Sequence, residues 1–272
     1  MDASREPRSR PARRAIWPLF ALGLTLARRG ILPALSIAIC IFTTLALSIL
    51  AISLAVRSAS SPVHNVPIVA SSALAWGGGF LLAFASAAHA LRRDRTEGIR
   101  DLLVARTTSL RGYLLARVGG LALLIAILVG GGTLFTGLVG VAASARLSSV
   151  AKILQSTGAG VAFAVAFALV VSPVAFAALG ARSRLGGYMF LLVVVVFPEM
   201  VVAMMGSAIP EGVTDVLSIP SALSALRTAL SPGTADAARA LRAALALALF
   251  VFIAVFLVRR DAVLLERGEA DG

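Results

Sequence analysis

The chain has 272 residues, is 59% hydrophobic and only 14% charged, and has a mean hydropathy of +0.95. A soluble domain carries about 25% charged residues, so neither a water-soluble globule nor a disordered chain fits. The net charge of +12 does not point to nucleic acid either, because the basic residues flank apolar runs, where they set topology and meet anionic headgroups.

The N-terminal stretch 1–14 is a basic, polar tail without the apolar core of a signal peptide. Ala15–Arg29 follows, with Trp17, Leu19, Phe20, Leu22, Leu24 and Leu26 closed by Arg28 and Arg29. It is too short to span and reads as a helix lying in the membrane interface, or as an extension of the first span. Pro33 predicts a bend where the two would join.

Six segments are long and apolar enough to cross a bilayer as helices: Ile31–Val56, Val66–Ala90, Tyr113–Ala143, Gly158–Gly180, Gly187–Ile209 and Ala238–Val258. The fifth is interrupted by Pro198, Glu199 and Gly206. Frequent small residues, among them the triplets Gly77–Gly79 and Gly130–Gly132, suit close helix–helix approach. With six spans both termini share one side. That side carries 19 arginines, against six basic residues on the other. The positive-inside rule therefore places both termini and the loops at 91–112 and 181–186 in the cytoplasm.

The loop 91–112 holds the most information. Ile99, Leu102 and Leu103 fall at helical spacing, Arg100 and Asp101 project away from them, and Thr96 with Glu97 suits a helix start. This predicts either a short amphipathic helix beneath the membrane or a solvated basic loop that only fixes topology. Deep in the fifth run, Glu199 is the acidic residue that lipid makes costly. It is a polar contact in a substrate path, a bond stabilising a break at Pro198, or a carboxyl paired or protonated for structural reasons. His89 reads as a helix-end headgroup contact. Two distant histidines, His64 and His89, and the single cysteine, Cys40, make no metal site. The only lysine, Lys152, lies in Ala-Lys-Ile, so no phosphate-binding Gly-Lys-Ser/Thr loop exists, and an intramembrane serine protease would need a Ser–His pair that is absent.

The order of these features resembles the permease subunits of type-2 ABC exporters. The residues that carry the resemblance are Arg95, Glu97, Gly98, Leu102, Leu103, Ser109, Arg111 and Arg117 in the loop between spans two and three, then Pro210, Pro220 and Arg227 before the last span. Many members have a proline after the two leucines, where this chain has Arg106-Thr107-Thr108. The resemblance implies an all-α, six-span permease domain over residues 15–260 with a cytoplasmic tail at 261–272. It implies a cytoplasmic coupling helix at about 96–110 that presents Glu97, Gly98, Arg100, Asp101, Leu102, Leu103 and Arg106 to an ATPase subunit. A broken helix and re-entrant segment would hold Pro198, Glu199, Pro210 and Pro220 near the translocation path. Two ATPase copies, binding ATP and magnesium, and a second permease copy or homologue would complete the transporter in a bacterial-type inner membrane. The chain itself would carry no cofactor and no catalysis. The rival expectation is a non-transporting membrane anchor that binds a cytoplasmic partner through the same basic loop.

Overall fold

The computed structural model of the chain describes residues 16–57, 63–98, 110–144, 147–180, 184–205 and 208–267. Regular structure among these residues is entirely helical. Six helical stretches are long and apolar enough to cross a membrane: Ile31–Val56, Val63–Thr96, Gly112–Ala143, Ser149–Leu179, Leu185–Met205 and Ala237–Leu264. The chain is an all-α polytopic membrane protein. Two shorter helices, Glu211–Leu217 and Ile219–Leu230, fill the connection between the fifth and sixth spans. The final helix runs to Arg267, so residues 261–267, expected as the start of a tail, continue it.

The fourth span is the axis of the bundle. Of its most apolar stretch 72% is buried, against 22% for the first and sixth spans and none for the fifth. Phe163, Phe167 and Phe176 on this span are fully enclosed. Trp76 of the second span meets Phe167 edge-on, with ring centres 5.2 Å apart, within the 4.5–7 Å preferred by aromatic pairs. The row continues along the second span through Phe80 and Phe84, 4.3 Å apart.

Three spans contain a wider helical turn. Ala75–Gly79, Ala126–Gly130 and Leu192–Val196 form π turns, each adding a residue to one turn and shifting the faces that follow. The first contains the triplet Gly77–Gly79 and the second ends at Gly130, where the other triplet begins; Gly78, Gly79 and Gly132 serve close packing, while Gly77 and Gly131 face open space. A methyl group at Gly78 would lie 2.3 Å from Cys40 Sγ on the first span, and one at Gly132 would lie 2.6 Å from Thr44 Oγ1. The third turn precedes Pro198. The expected break there is absent: the helix passes from Leu192–Val196 directly into Phe197–Met205. Pro198 stands in the first turn of that last segment, and the register change at the π turn accommodates its missing N–H.

The N-terminal helix, Ile16–Ala27, lies against the start of the third span. A methyl group at Gly23 would sit 2.1 Å from the Ala116 carbonyl oxygen, and one at Gly120 would sit 2.6 Å from the Gly23 carbonyl carbon. Backbone therefore meets backbone, the contact that small residues permit between helices in lipid. Phe20 closes over Gly119 beside this contact. The chain then turns at Gly30, whose φ of 125° only glycine adopts readily. Pro33, expected to make the bend, instead lies in the first turn of the next helix, where its missing N–H costs nothing.

Replacing Gly120 with leucine should force the N-terminal helix away from the third span. A loss of about 1–3 kcal/mol is expected from overpacking, measurable as a lowered midpoint of thermal unfolding in detergent. Leucine at Gly131, where nothing lies within 4 Å, should leave the midpoint unchanged.

Candidate functional site

The loop between the second and third spans is bounded by two stems that the structure fastens together. Asp94 lies on the Ala90–Thr96 helix, and Arg117 lies about two turns into the helix Leu110–Ile125 of the third span. Arg117 donates from Nε to Asp94 Oδ2 at 2.7 Å and from Nη2 to Asp94 Oδ1 at 2.9 Å. Tyr113 donates its hydroxyl proton to the same Oδ2. The side chains of Arg117 and Asp94 are 2% and 1% exposed. Such a two-pronged arrangement satisfies both carboxylate oxygens and lets a buried ion pair offset its desolvation.

Just before this pair, the second span breaks and restarts. His89 has a φ of 54°, in the left-handed region that non-glycine residues seldom occupy. The break is stitched to the end of the fourth span, because His89 N donates to the Leu179 carbonyl at 2.9 Å and Leu91 N donates to the Gly180 carbonyl at 3.1 Å. Ser86 Oγ donates to the Ala27 carbonyl at 2.7 Å and so ties in the N-terminal helix. His89 was expected as a headgroup contact; its backbone is the pivot at which the second span changes direction.

Thr96 and Glu97 stand at a helix end, which corrects the expectation of a helix start. Thr96 closes Ala90–Thr96 and bonds back to the Arg93 carbonyl at 2.9 Å. Glu97 N and Gly98 N reach the carbonyls of Arg93 and Arg95. Gly98 then takes a φ of 68°, the left-handed stop at which helices commonly end. Glu97 also receives Arg29 Nη1 at 2.8 Å, an exposed pair of small energetic weight. Arg100, Asp101, Leu102, Leu103 and Arg106 lie outside the described residues. Leu110 already belongs to the helix that enters the third span.

The second group of expected site residues is brought together around Glu199. Its Oε2 accepts from Ser218 Oγ and, at 3.1 Å, from Ser221 Oγ. Ser218 caps the Ile219–Leu230 helix by accepting from Ser221 N at 3.0 Å, and Pro220 follows in its first turn, where a proline fits. Pro210 lies apart from this cluster, preceding Glu211–Leu217. Glu199 thus holds the turn between the two connecting helices onto the fifth span rather than stabilising a break at Pro198.

The turn is deeply set. Ile219 is 2% exposed and faces Trp76, Phe80, Phe84, Val171 and Val174 around a void of about 10 Å³, no larger than one water requires. Further along the same helix, Arg227 donates to Ser72 Oγ and stacks 5.8 Å above the Phe163 ring. At the other end, Asp215 receives Arg239 Nη2 at 2.6 Å and binds the connection to the sixth span. The two helices therefore enter the bundle and leave it again, fastened at both depths.

Asp94, Tyr113, Ser218 and Ser221 were not singled out by sequence. One signal was present: an arginine at position 117, four residues into an apolar run, demands a partner. Among the described residues no three His, Cys, Asp or Glu side chains converge as a metal ion would require. Compared with known proteins, the chain matches no family model and no curated protein.

Truncating Asp94 to alanine should cost about 3–5 kcal/mol by stranding the Arg117 charge. A double variant, Asp94→Leu with Arg117→Leu, should recover much of that loss, as a double-mutant cycle of unfolding midpoints would record. Glu199→Ala should release the inserted turn, raising amide exchange across Glu211–Ser221 at least tenfold while the third and fourth spans stay protected. Equal exchange in both forms would show that the carboxylate does not hold the turn.

Proposed function

We propose that this chain is the membrane-spanning permease subunit of an ATP-driven exporter of the type-2 ABC class. It forms half of the translocation pathway and is coupled through the loop at about 96–110 to a separate ATPase subunit. The observation that carries this reading is the fastening of that loop's stems. Asp94 lies three residues before Glu97, Arg117 lies in the third span, and their bidentate pair joins the two. The bonds from His89 and Leu91 add the end of the fourth span, and Ser86 adds the N-terminal helix. A load applied at the loop is thereby delivered to several spans as one body, which is what rigid-body switching of access needs.

In this reading the arginine-rich end faces the cytoplasm, as the 19-to-six distribution favours. Two ATPase copies bind ATP and magnesium there, and a second permease copy or homologue supplies the other half of the path. The inserted helix pair, Glu211–Leu217 and Ile219–Leu230, closes the path from the opposite side, with Ile219 against the aromatic row. Glu97, Arg100, Asp101 and Arg106 offer both charge signs to the ATPase surface, with Gly98, Leu102 and Leu103 in the same coupling segment.

The test is affinity capture of the tagged chain from its native membrane. An ABC ATPase should co-purify, and reversing the charges of Glu97, Arg100 and Asp101 together should cut its recovery at least tenfold with membrane insertion unchanged. Equal recovery would overturn the coupling role of the loop. Capture of a cytoplasmic partner without nucleotide-hydrolysing activity would favour the non-transporting anchor instead.

A further inference from the structure

The third, fourth and sixth spans leave between them a cleft of about 410 Å³ that takes no part in the proposed coupling. Leu114, Ala122, Pro173 and Val258 are buried along its floor. Its rim is apolar and open: Leu115, Leu169 and Val255 are 64%, 55% and 48% exposed. Such a rim at span depth faces hydrocarbon, so the cleft opens sideways into the bilayer. Along the sixth span its lining runs from Val251 to Arg259. That is about 12 Å at 1.5 Å per residue, most of the depth of one leaflet of a ~30 Å core.

Of the residues that line the cleft, Arg259 is the one with a charge. It stands at the end of the cleft nearest the arginine-rich end of the bundle, in the last turns of the sixth span, which runs to Leu264. Its side chain is exposed, and among the described residues it has no hydrogen-bond or ion-pair partner. Arg260, also exposed, is the next residue on the helix but does not line the cleft. An apolar slot one leaflet deep, with a single unpaired guanidinium at its headgroup end, has the shape and polarity of a lipid. Basic pockets between spans select anionic headgroups, and the planar arginine fork matches a phosphate better than a lysine would.

We infer that this cleft binds one anionic phospholipid of the arginine-rich leaflet, with an acyl chain along Ala122 and Val258 and the phosphate on Arg259. The inference needs only the membrane-spanning fold, and its failure would leave the coupling reading untouched.

The probe is the full chain purified from vesicles of phosphatidylglycerol and phosphatidylcholine in equal parts, with retained lipid counted by native mass spectrometry. One phosphatidylglycerol per chain should survive delipidation in preference to phosphatidylcholine. Arg259→Gln should reduce that retention at least fivefold, while Arg260→Gln leaves it within twofold. Val255→Trp, at the exposed rim where added bulk does not disturb the core, should expel the lipid with the thermal midpoint unchanged. Equal retention of both lipids, or equal losses from the two arginine variants, would reduce the site to general surface charge and overturn the inference. So would a Val255→Trp variant that keeps its lipid, or one that alters only the oligomeric mass because a second chain fills the cleft.

Discussion

A charge withdrawn from water inside an apolar bundle has to be neutralised by its neighbours, and the Asp94–Arg117 pair is where this chain meets that demand. The carboxylate receives two guanidinium bonds and a tyrosine hydroxyl, so little of its hydrogen-bonding capacity is left unmet. The consequence is geometric. The pair can be satisfied only when the Ala90–Thr96 helix and the first turns of the third span keep one relative position. The break at His89, the backbone bonds to Leu179 and Gly180, and the seating of the N-terminal helix all lie within reach of that fixed point. Removal of one partner does more than subtract an attraction, because it leaves the other charge buried alone.

The same demand governs the rest of the bundle in milder form. Hydroxyl groups in the spans bond back to carbonyls one turn earlier, as Thr44, Thr133 and Thr157 do, and thereby remain compatible with lipid. Glu199 is held by two serine hydroxyls contributed by the inserted turn. Two of the departures from regular helix are placed where another element covers them. The π turn at Ala75–Gly79 lies against the first span through Gly78, while the left-handed His89 lies against the fourth. Irregular backbone at membrane depth is tolerated only when protein surrounds it, and both of these obey that condition.

What could be read from the residues follows from which forces act locally. Hydrocarbon thickness imposes a minimum length on each apolar run, so six spans could be counted from composition alone, with ends misplaced by a few residues where polar turns continue the helix. Gly98 was the clue to the stop after Thr96, yet Thr-Glu is compatible with either end of a helix. Only the backbone bonds from Glu97 and Gly98 decide between them. Arg117 announced that it needed a partner. Choosing Asp94 over Glu97 or Asp101 required the left-handed turn at His89, which no composition signals. For Glu199 the sequence showed the cost of a carboxyl deep in an apolar run, whereas Ser218 and Ser221 become its partners through the depth to which the connecting helices are inserted. Pro33 was misread because a proline in the first turn of a helix bends nothing, and Pro198 because the π turn just before it takes up its missing N–H.

The fifth span makes one consequence plain. None of its most apolar stretch is fully buried, yet Phe190, Leu191, Val194 and Val195 rest one face on the core, between Gly187 seated against Leu179 and Ala178 and Glu199 held by the two serines. The opposite face, with Met189, Leu192, Val193 and Val196 exposed, is steadied by whatever surrounds the protein. Swapping one greasy side chain for another at Met189, Leu192, Val193 or Val196 should matter little to the fold. The membrane, more than the protein's interior, then sets which side chains that outward face can carry.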